Sequence, residues 1–318
     1  MTYLTKTIPI IILMLLFAIV GCSNDNDVEV NSGEIVTEEQ ETVLASDDPE
    51  QKTVHSADGT RIAYTEVGSG PIPLVMVHGG LSTSQQWMPV AENLSELSDQ
   101  FTCYVVDRWG RGGSEGRPEY SLEHDVNDII AVLEEVGPDT YLLGHSGGAI
   151  ISLEAAKRAQ IAGLILYETP LHLERFVEDI WYRFHSAAQG ERYEEALTIF
   201  LAEEAEVPDD IIAEIQGTPH WDHMLEHTPH TAFEIEALVD ARFEVDRYAD
   251  ITVPTLLLAG TETADHPSFA TQALDDLLPN ARTAWLDGEG HTANETSPEM
   301  VAQEIIEFVK QSESGVKN

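Results

Sequence analysis

Six short, mainly apolar runs recur along this chain at 73–77, 101–106, 140–143, 163–167, 255–259 and 282–286, with helix-like apolar spacing between them. Runs of four to six residues that stay apolar rather than alternate suit strands buried on both faces, and such strands need helices above and below. The pattern predicts an α/β fold with a mostly parallel sheet. Ahead of it, residues 52–65 alternate across Asp58-Gly59, which predicts an opening β-hairpin and brings the strands to eight. Leu122, Val126, Ile129, Ile130 and Leu133 have the spacing of one helix face that stops at Gly137. Ser297-Pro298 opens a last helix with Val301, Ile305 and Phe308 inward. Cys103, inside the run 101–106, reads as a buried small hydrophobe rather than a reactive thiol.

Four motifs sit at the ends of these runs. Gly144-His145-Ser146-Gly147-Gly148 lies between Tyr141-Leu142-Leu143 and a helical stretch, the context of a nucleophile elbow, where small neighbours let a serine stand clear of a tight turn. His78-Gly79-Gly80 ends the run 73–77, where glycines let backbone amides approach a developing oxyanion. Gly288-Glu289-Gly290-His291 follows the run 282–286 and puts a histidine on a loop before the last helix. Asp107-Arg108-Trp109-Gly110-Arg111-Gly112-Gly113-Ser114 follows the run 101–106. In this order the motifs resemble those of the α/β-hydrolase family, from about Lys52 to Val309. The resemblance implies an eight-stranded, mostly parallel sheet with helices on both faces. It further implies Ser146 as nucleophile, His291 as general base, and the Gly80 and Gly147 amides as oxyanion donors, with His78 orienting its loop.

The triad acid is where the chain departs from that pattern. The family's acid commonly lies three residues after the glycine that ends the seventh strand. After Gly260 that place holds Thr263. The sixth run ends Leu166-Tyr167-Glu168, similar to relatives, some haloalkane dehalogenases among them, whose acid has moved to this strand. A carboxylate directly after an apolar strand is costly unless something uses it. Glu168 is therefore placed first, with Asp265 and Glu262 as alternatives.

Residues 171–250 show helical spacing at Phe176, Ile180 and Phe184, at Tyr193, Leu197 and Phe200, and at Phe233 and Leu238. In the family such an insertion resembles a helical cap, so the expected domains are a core of 52–170 and 251–318 and a cap of 171–250. His220, His223, His227 and His230 would share one helix face, a ligand-like spacing, but Pro219 and Pro229 argue against an unbroken helix and no cysteine supports a metal. No metal or other cofactor is expected. Trp181, Tyr182 and Trp221 are candidates either to line an apolar pocket or to pack the cap.

The chain's beginning carries a different message. Lys6 precedes the apolar run Ile8 to Val20, broken only by Pro9 and followed by Gly21-Cys22. This resembles a bacterial lipoprotein signal, with residues 1–21 removed and Cys22 lipidated, and implies export and anchoring to a membrane of the cell envelope. Residues 23–51 hold ten Asp or Glu and no Lys or Arg, which predicts a disordered tether. The remainder has 15 Lys or Arg against 47 Asp or Glu, a formal charge of −32. That excludes nucleic acid as a partner and fits a protein kept soluble in salt. The substrate expected is a small ester or lactone, uncharged or cationic, met by a monomer. The rival readings are a carbon–carbon bond hydrolase of the same fold and a non-catalytic, ligand-binding surface lipoprotein.

Overall fold

The computed structural model describes residues 51–171, 178–241, 244–263 and 265–315. Cys22, the apolar run before it and residues 23–50 lie outside the described residues. Among those described, no helix is long and apolar enough to cross a membrane.

The hairpin forms β1 (Gln51–His55) and β2 (Arg61–Gly68), antiparallel with His55 opposite Arg61. Six strands follow: β3 (Ile72–Val77), β4 (Phe101–Val106), β5 (Tyr141–His145), β6 (Gly163–Tyr167), β7 (Thr255–Gly260) and β8 (Ala281–Leu286). The sheet order is β1-β2-β4-β3-β5-β6-β7-β8. β2 is antiparallel to β4, and every later pairing is parallel. After β3 the chain steps outward to β4, then returns past β3 to β5. The order thus reverses between β3 and β5, and in open parallel sheets a crevice opens beyond the strand ends at such a point.

Alternation along the strands divides the core. Val75, Val77, Leu142, Leu164 and Leu166 point to one face, against α2 (Leu122–Val136), α3 (Gly147–Ala156) and α8 (Asp265–Leu277). Leu74, Met76, Leu143, Ile165, Leu256 and Leu258 point to the other, against α1 (Met88–Leu97) and α10 (Pro298–Ser314). A residue and its strand neighbour therefore serve different helices. Cys103 is buried in the second of these clusters, and burial pushes its thiol up to about 12. α2 begins with the Ser121 hydroxyl accepting from the His124 amide and stops at Gly137, whose φ of 116° suits a residue without Cβ. The short α9 (Ala293–Thr296) leads into α10.

The segment between β6 and β7 holds α4 (Glu178–Gln189), α5 (Tyr193–Ile199), α6 (Asp209–Ile215) and α7 (Pro219–Ala241). Contrary to the reading of its prolines, α7 runs unbroken through Pro229. An internal proline costs about 3 kcal/mol, whereas each large apolar side chain buried returns about 1.5–3 kcal/mol. Trp221 and Met224 before the proline, and Ile235 and Leu238 after it, are all buried, so burial outweighs the break. Three apolar clusters share α7: Trp221 and Met224 join one in the cap, Ala232 and Ile235 a second, and Leu238 the main core. Two details differ from expectation. Phe233 is 52 % exposed, the inner face being carried by Ala232, Ile235 and Leu238, and Tyr182 is 72 % exposed and so does not pack the helices of this segment. Trp221 packs the cap; the side chain of Trp181 lies outside what is described.

Candidate active site

Ser146, Glu168, His291 and the loop His78–Leu81 all follow C-terminal ends of parallel strands, at and beside the point where strand order reverses. Ser146 is the hinge between β5 and α3, with φ 52° and ψ −124°. Such backbone costs a non-glycine residue about 1–3 kcal/mol and persists only where surroundings enforce it. Here the Ser146 amide donates to the Tyr167 carbonyl at 3.0 Å, and the Ser146 carbonyl accepts from Ala149 at 2.9 Å. Glycine is obligatory two residues either side. A Cβ at Gly144 would strike the Gly148 carbonyl and the Ser152 hydroxyl, and one at Gly148 would strike the Val77 and His78 carbonyls.

Glu168, at the end of β6, likewise has a positive φ, 49°. Its carboxylate is fully buried and has three donors. Oε1 accepts from the Gly260 amide at 2.9 Å; Oε2 accepts from the Thr263 hydroxyl at 2.7 Å and from His291 Nδ1 at 2.6 Å. Burial alone raises the Glu168 pKa, but the His291, Gly260 and Thr263 hydrogen bonds more than offset it and hold the group below its ordinary value. Thr263, standing where the family pattern puts the acid, thus binds the carboxylate that reaches His291 from the neighbouring strand. Glu262 is exposed, and its amide ties the loop after β7 to the loop after β8 by donating to the Glu289 carbonyl at 2.8 Å. Asp265 begins α8, and its side chain lies outside what is described.

His291 is held from both sides. Its carbonyl lies 3.0 Å from His145 Nε2, and the two imidazole rings are 4.4 Å apart. The Tyr167 hydroxyl donates to the Gly290 carbonyl and accepts from the Ala293 amide at 2.9 Å, bracketing the histidine loop. The His291 side chain remains 45 % exposed, so its ring is reachable from solvent. Ser146 Oγ has no hydrogen-bond partner among the described residues, and contacts of this kind commonly close only when substrate arrives.

Opposite Ser146 lies the turn after β3. The Gly79 amide donates to Gln86 Oε1 at 3.0 Å and the Leu81 amide to Thr231 Oγ1 at 2.8 Å. Between them, the Gly80 amide has no acceptor among the described residues. The Gly147 amide opens α3 and so has no acceptor within that helix. His78 is fully buried, accepts from the Arg108 amide through Nε2 at 3.2 Å, and is held well below its ordinary pKa by burial and then by the charges of Arg108 and Arg111. Its ring thus links the Arg108 backbone to the turn after β3, where Nδ1 lies 2.8 Å from the Gly79 carbonyl.

Several residues at the site make contacts that local pattern did not assign to them, Arg108 and Arg111 among them although they lie within the Asp107–Ser114 motif. Arg108, 2 % exposed, donates from Nη1 to the His78 and Gly79 carbonyls, both at 3.2 Å, and from Nη2 to Asp125 at 2.7 Å and Glu234 at 2.8 Å. Arg111 also pairs with Glu234. Asp125 lies on α2 and Glu234 on α7, so this buried charge cluster ties α2, α7 and the turn after β3 together. Gln86 contacts His145 Nδ1 at 3.1 Å as well as Gly79. The cap histidines do share a face, with the His223 and His227 rings 4.6 Å apart, yet among the described residues no group of three or more His, Cys, Asp or Glu could hold a metal ion.

An elbow serine, a buried carboxylate on a loop histidine and an open amide beyond β3 define a hydrolase arrangement on an α/β sheet. Residues 74–304 match the model of the alpha/beta hydrolase family. A crystal structure of an alpha/beta hydrolase from Sphaerobacter thermophilus is similar at 33% identity, TM-score 0.72, covering 81% of this chain and all of that one. A putative carbamate hydrolase RutD of Azorhizobium caulinodans is 26% identical over 77% of this chain and 94% of its own length. A pimeloyl-[acyl-carrier protein] methyl ester esterase of Xylella fastidiosa is 31% identical over 72% of this chain and 91% of its own. The chain belongs to the alpha/beta hydrolase family and is an enzyme, a hydrolase of that fold.

Proposed function

We propose that the enzyme cleaves a carboxylic ester or lactone of a small molecule through an acyl-enzyme on Ser146. The observation that carries this reading is the buried Glu168 carboxylate 2.6 Å from His291 Nδ1, on the loop beside the Ser146 elbow. A carboxylate so placed fixes the tautomer with the proton on Nδ1, leaving Nε2 a lone pair with which to act as base. Ser146 Oγ attacks the carbonyl carbon as its proton passes to His291 Nε2, and Glu168 stabilises the imidazolium. The oxyanion is met by the Gly80 and Gly147 amides. The tetrahedral intermediate then expels the alcohol, protonated by His291. Water, deprotonated by the same histidine, attacks the acyl carbon, and the second intermediate releases the acid and restores Ser146. The similarity to a named methyl ester esterase supports ester chemistry, and the relative named a putative carbamate hydrolase is consistent with hydrolysis at a carbonyl group. The acidic surface disfavours anionic substrates, so uncharged or cationic esters lead.

The test is a panel of esters differing in acyl length, assayed with wild type and Ser146→Ala. Turnover by wild type should fall at least about 10³-fold in the mutant. Equal rates for the two proteins would refute nucleophilic catalysis by Ser146.

A further inference from the structure

Three successive amides leave the end of β3, and the outer two are anchored to different bodies. Gly79 is held by Gln86, on the core side; Leu81 is held by Thr231, on α7 of the cap. Anchoring the amides on either side limits how far the planar peptide unit between Gly79 and Gly80 can turn, and with it the direction of the Gly80 N–H. Thr231 is 2 % exposed, and its hydroxyl also bonds the His227 carbonyl at 3.1 Å. That bond consumes the hydroxyl proton, so the oxygen can only accept from Leu81. Leu81 itself has φ 54°, a left-handed backbone that a leucine adopts only when contacts hold it. Those contacts come from the cap: its side chain packs with Leu197, Leu201, Ile212, Trp221 and Met224. The approach is close, since a methyl group added at Gly80 would sit 3.1 Å from Thr231 Cγ2.

We infer that Thr231 is a positioning residue through which the seating of the cap sets the direction of the Gly80 oxyanion donor. The inference rests on the serine hydrolase reading and deepens it. A cap displaced from its seat would carry Leu81 with it and turn Gly80 away from the reacting carbonyl. Transition-state stabilisation would then depend on cap closure, while ground-state binding would depend on it much less.

Thr231→Val keeps the shape and removes the acceptor; Thr231→Ser keeps the acceptor. Hydrolysis of 4-nitrophenyl acetate by the full chain should show kcat lowered about 10- to 100-fold in Thr231→Val with KM within about threefold, less than the loss of an oxyanion donor outright. Thr231→Ser should return kcat to within about threefold of wild type. Inactivation by a fluorophosphonate, whose phosphoryl oxygen uses the same donors, should slow in parallel with kcat. Should Thr231→Val fail to fold by circular dichroism, Thr231→Ala takes its place with the same expected result. A kcat like wild type in the variant lacking the hydroxyl, or a Thr231→Ser enzyme as impaired as that variant, overturns the positioning role alone. Wild-type turnover that survives Ser146→Ala overturns the underlying reading of Ser146 as nucleophile, and the role of Thr231 with it.

Discussion

Glu168 concentrates what the site demands of single residues. A carboxylate sealed from water survives as an anion only with several donors, and the Gly260 amide, the Thr263 hydroxyl and His291 supply them. Its position was legible in the sequence because two signals coincided: a charge directly after the apolar β6, and a threonine at the usual place of the acid after β7. Ser146, His291 and Gly80 were legible as local motifs. Gln86, Arg108, Thr231 and Glu234 were not, because their roles are defined by contacts across the fold. Leu81 meets Thr231 across 150 positions and Arg108 meets Glu234 across 126, distances over which local pattern says nothing. The Glu168 assignment leads to a ranking of two amide substitutions. Glu168→Gln should lower kcat for a simple ester about 10²- to 10⁴-fold, the scale of losing a triad carboxylate at constant shape, whereas Asp265→Asn should stay within about threefold of wild type. Steady-state kinetics on the two variants checks this, and the reverse ranking would return the acid to the loop after β7.

α7 shows how an element can be misread residue by residue. Pro219 and Pro229 argued locally for a break, yet burial on both sides of Pro229 keeps one helix of 23 residues. Its inner face gathers Thr231, Glu234, the buried His227 and the half-buried His230. Burial lowers both His227 and His230 to about 4, helped for His227 by the neighbouring charges of His223, Arg111 and His230, and for His230 by Arg111 and Arg108. The unfolded chain therefore binds more protons than the folded one between about pH 6.5 and 4, so stability falls as pH falls through that window. Replacing both histidines by glutamine removes these two titrations. Urea midpoints measured from pH 7 to 4 should consequently decline less steeply in the double variant than in wild type, and parallel declines would show that the two groups do not gain protons on unfolding.

At the scale of the whole molecule the fold was largely legible, since six apolar runs with intervening helical spacing already specify a parallel sheet and its two covering layers. The sheet order was not, because periodicity places a residue on a face without naming the neighbouring strand. The lipoprotein-like segment ending Val20-Gly21-Cys22 raises a separate proposal, that an acidic tether joins the enzyme to a membrane. Cys22→Ala should move the protein from the membrane fraction to the soluble fraction with ester hydrolysis intact, and a mutant that stays with the membrane would reject the anchor. Hydrolysis through Ser146 requires a covalent acyl-enzyme, and rapid-quench mass spectrometry of the enzyme mixed with an activated ester observes it. One acyl group should appear on the peptide containing Ser146 within the first turnover, and none in Ser146→Ala. Hydrolysis with no acyl group on that peptide, or with the group on another residue, would contradict it.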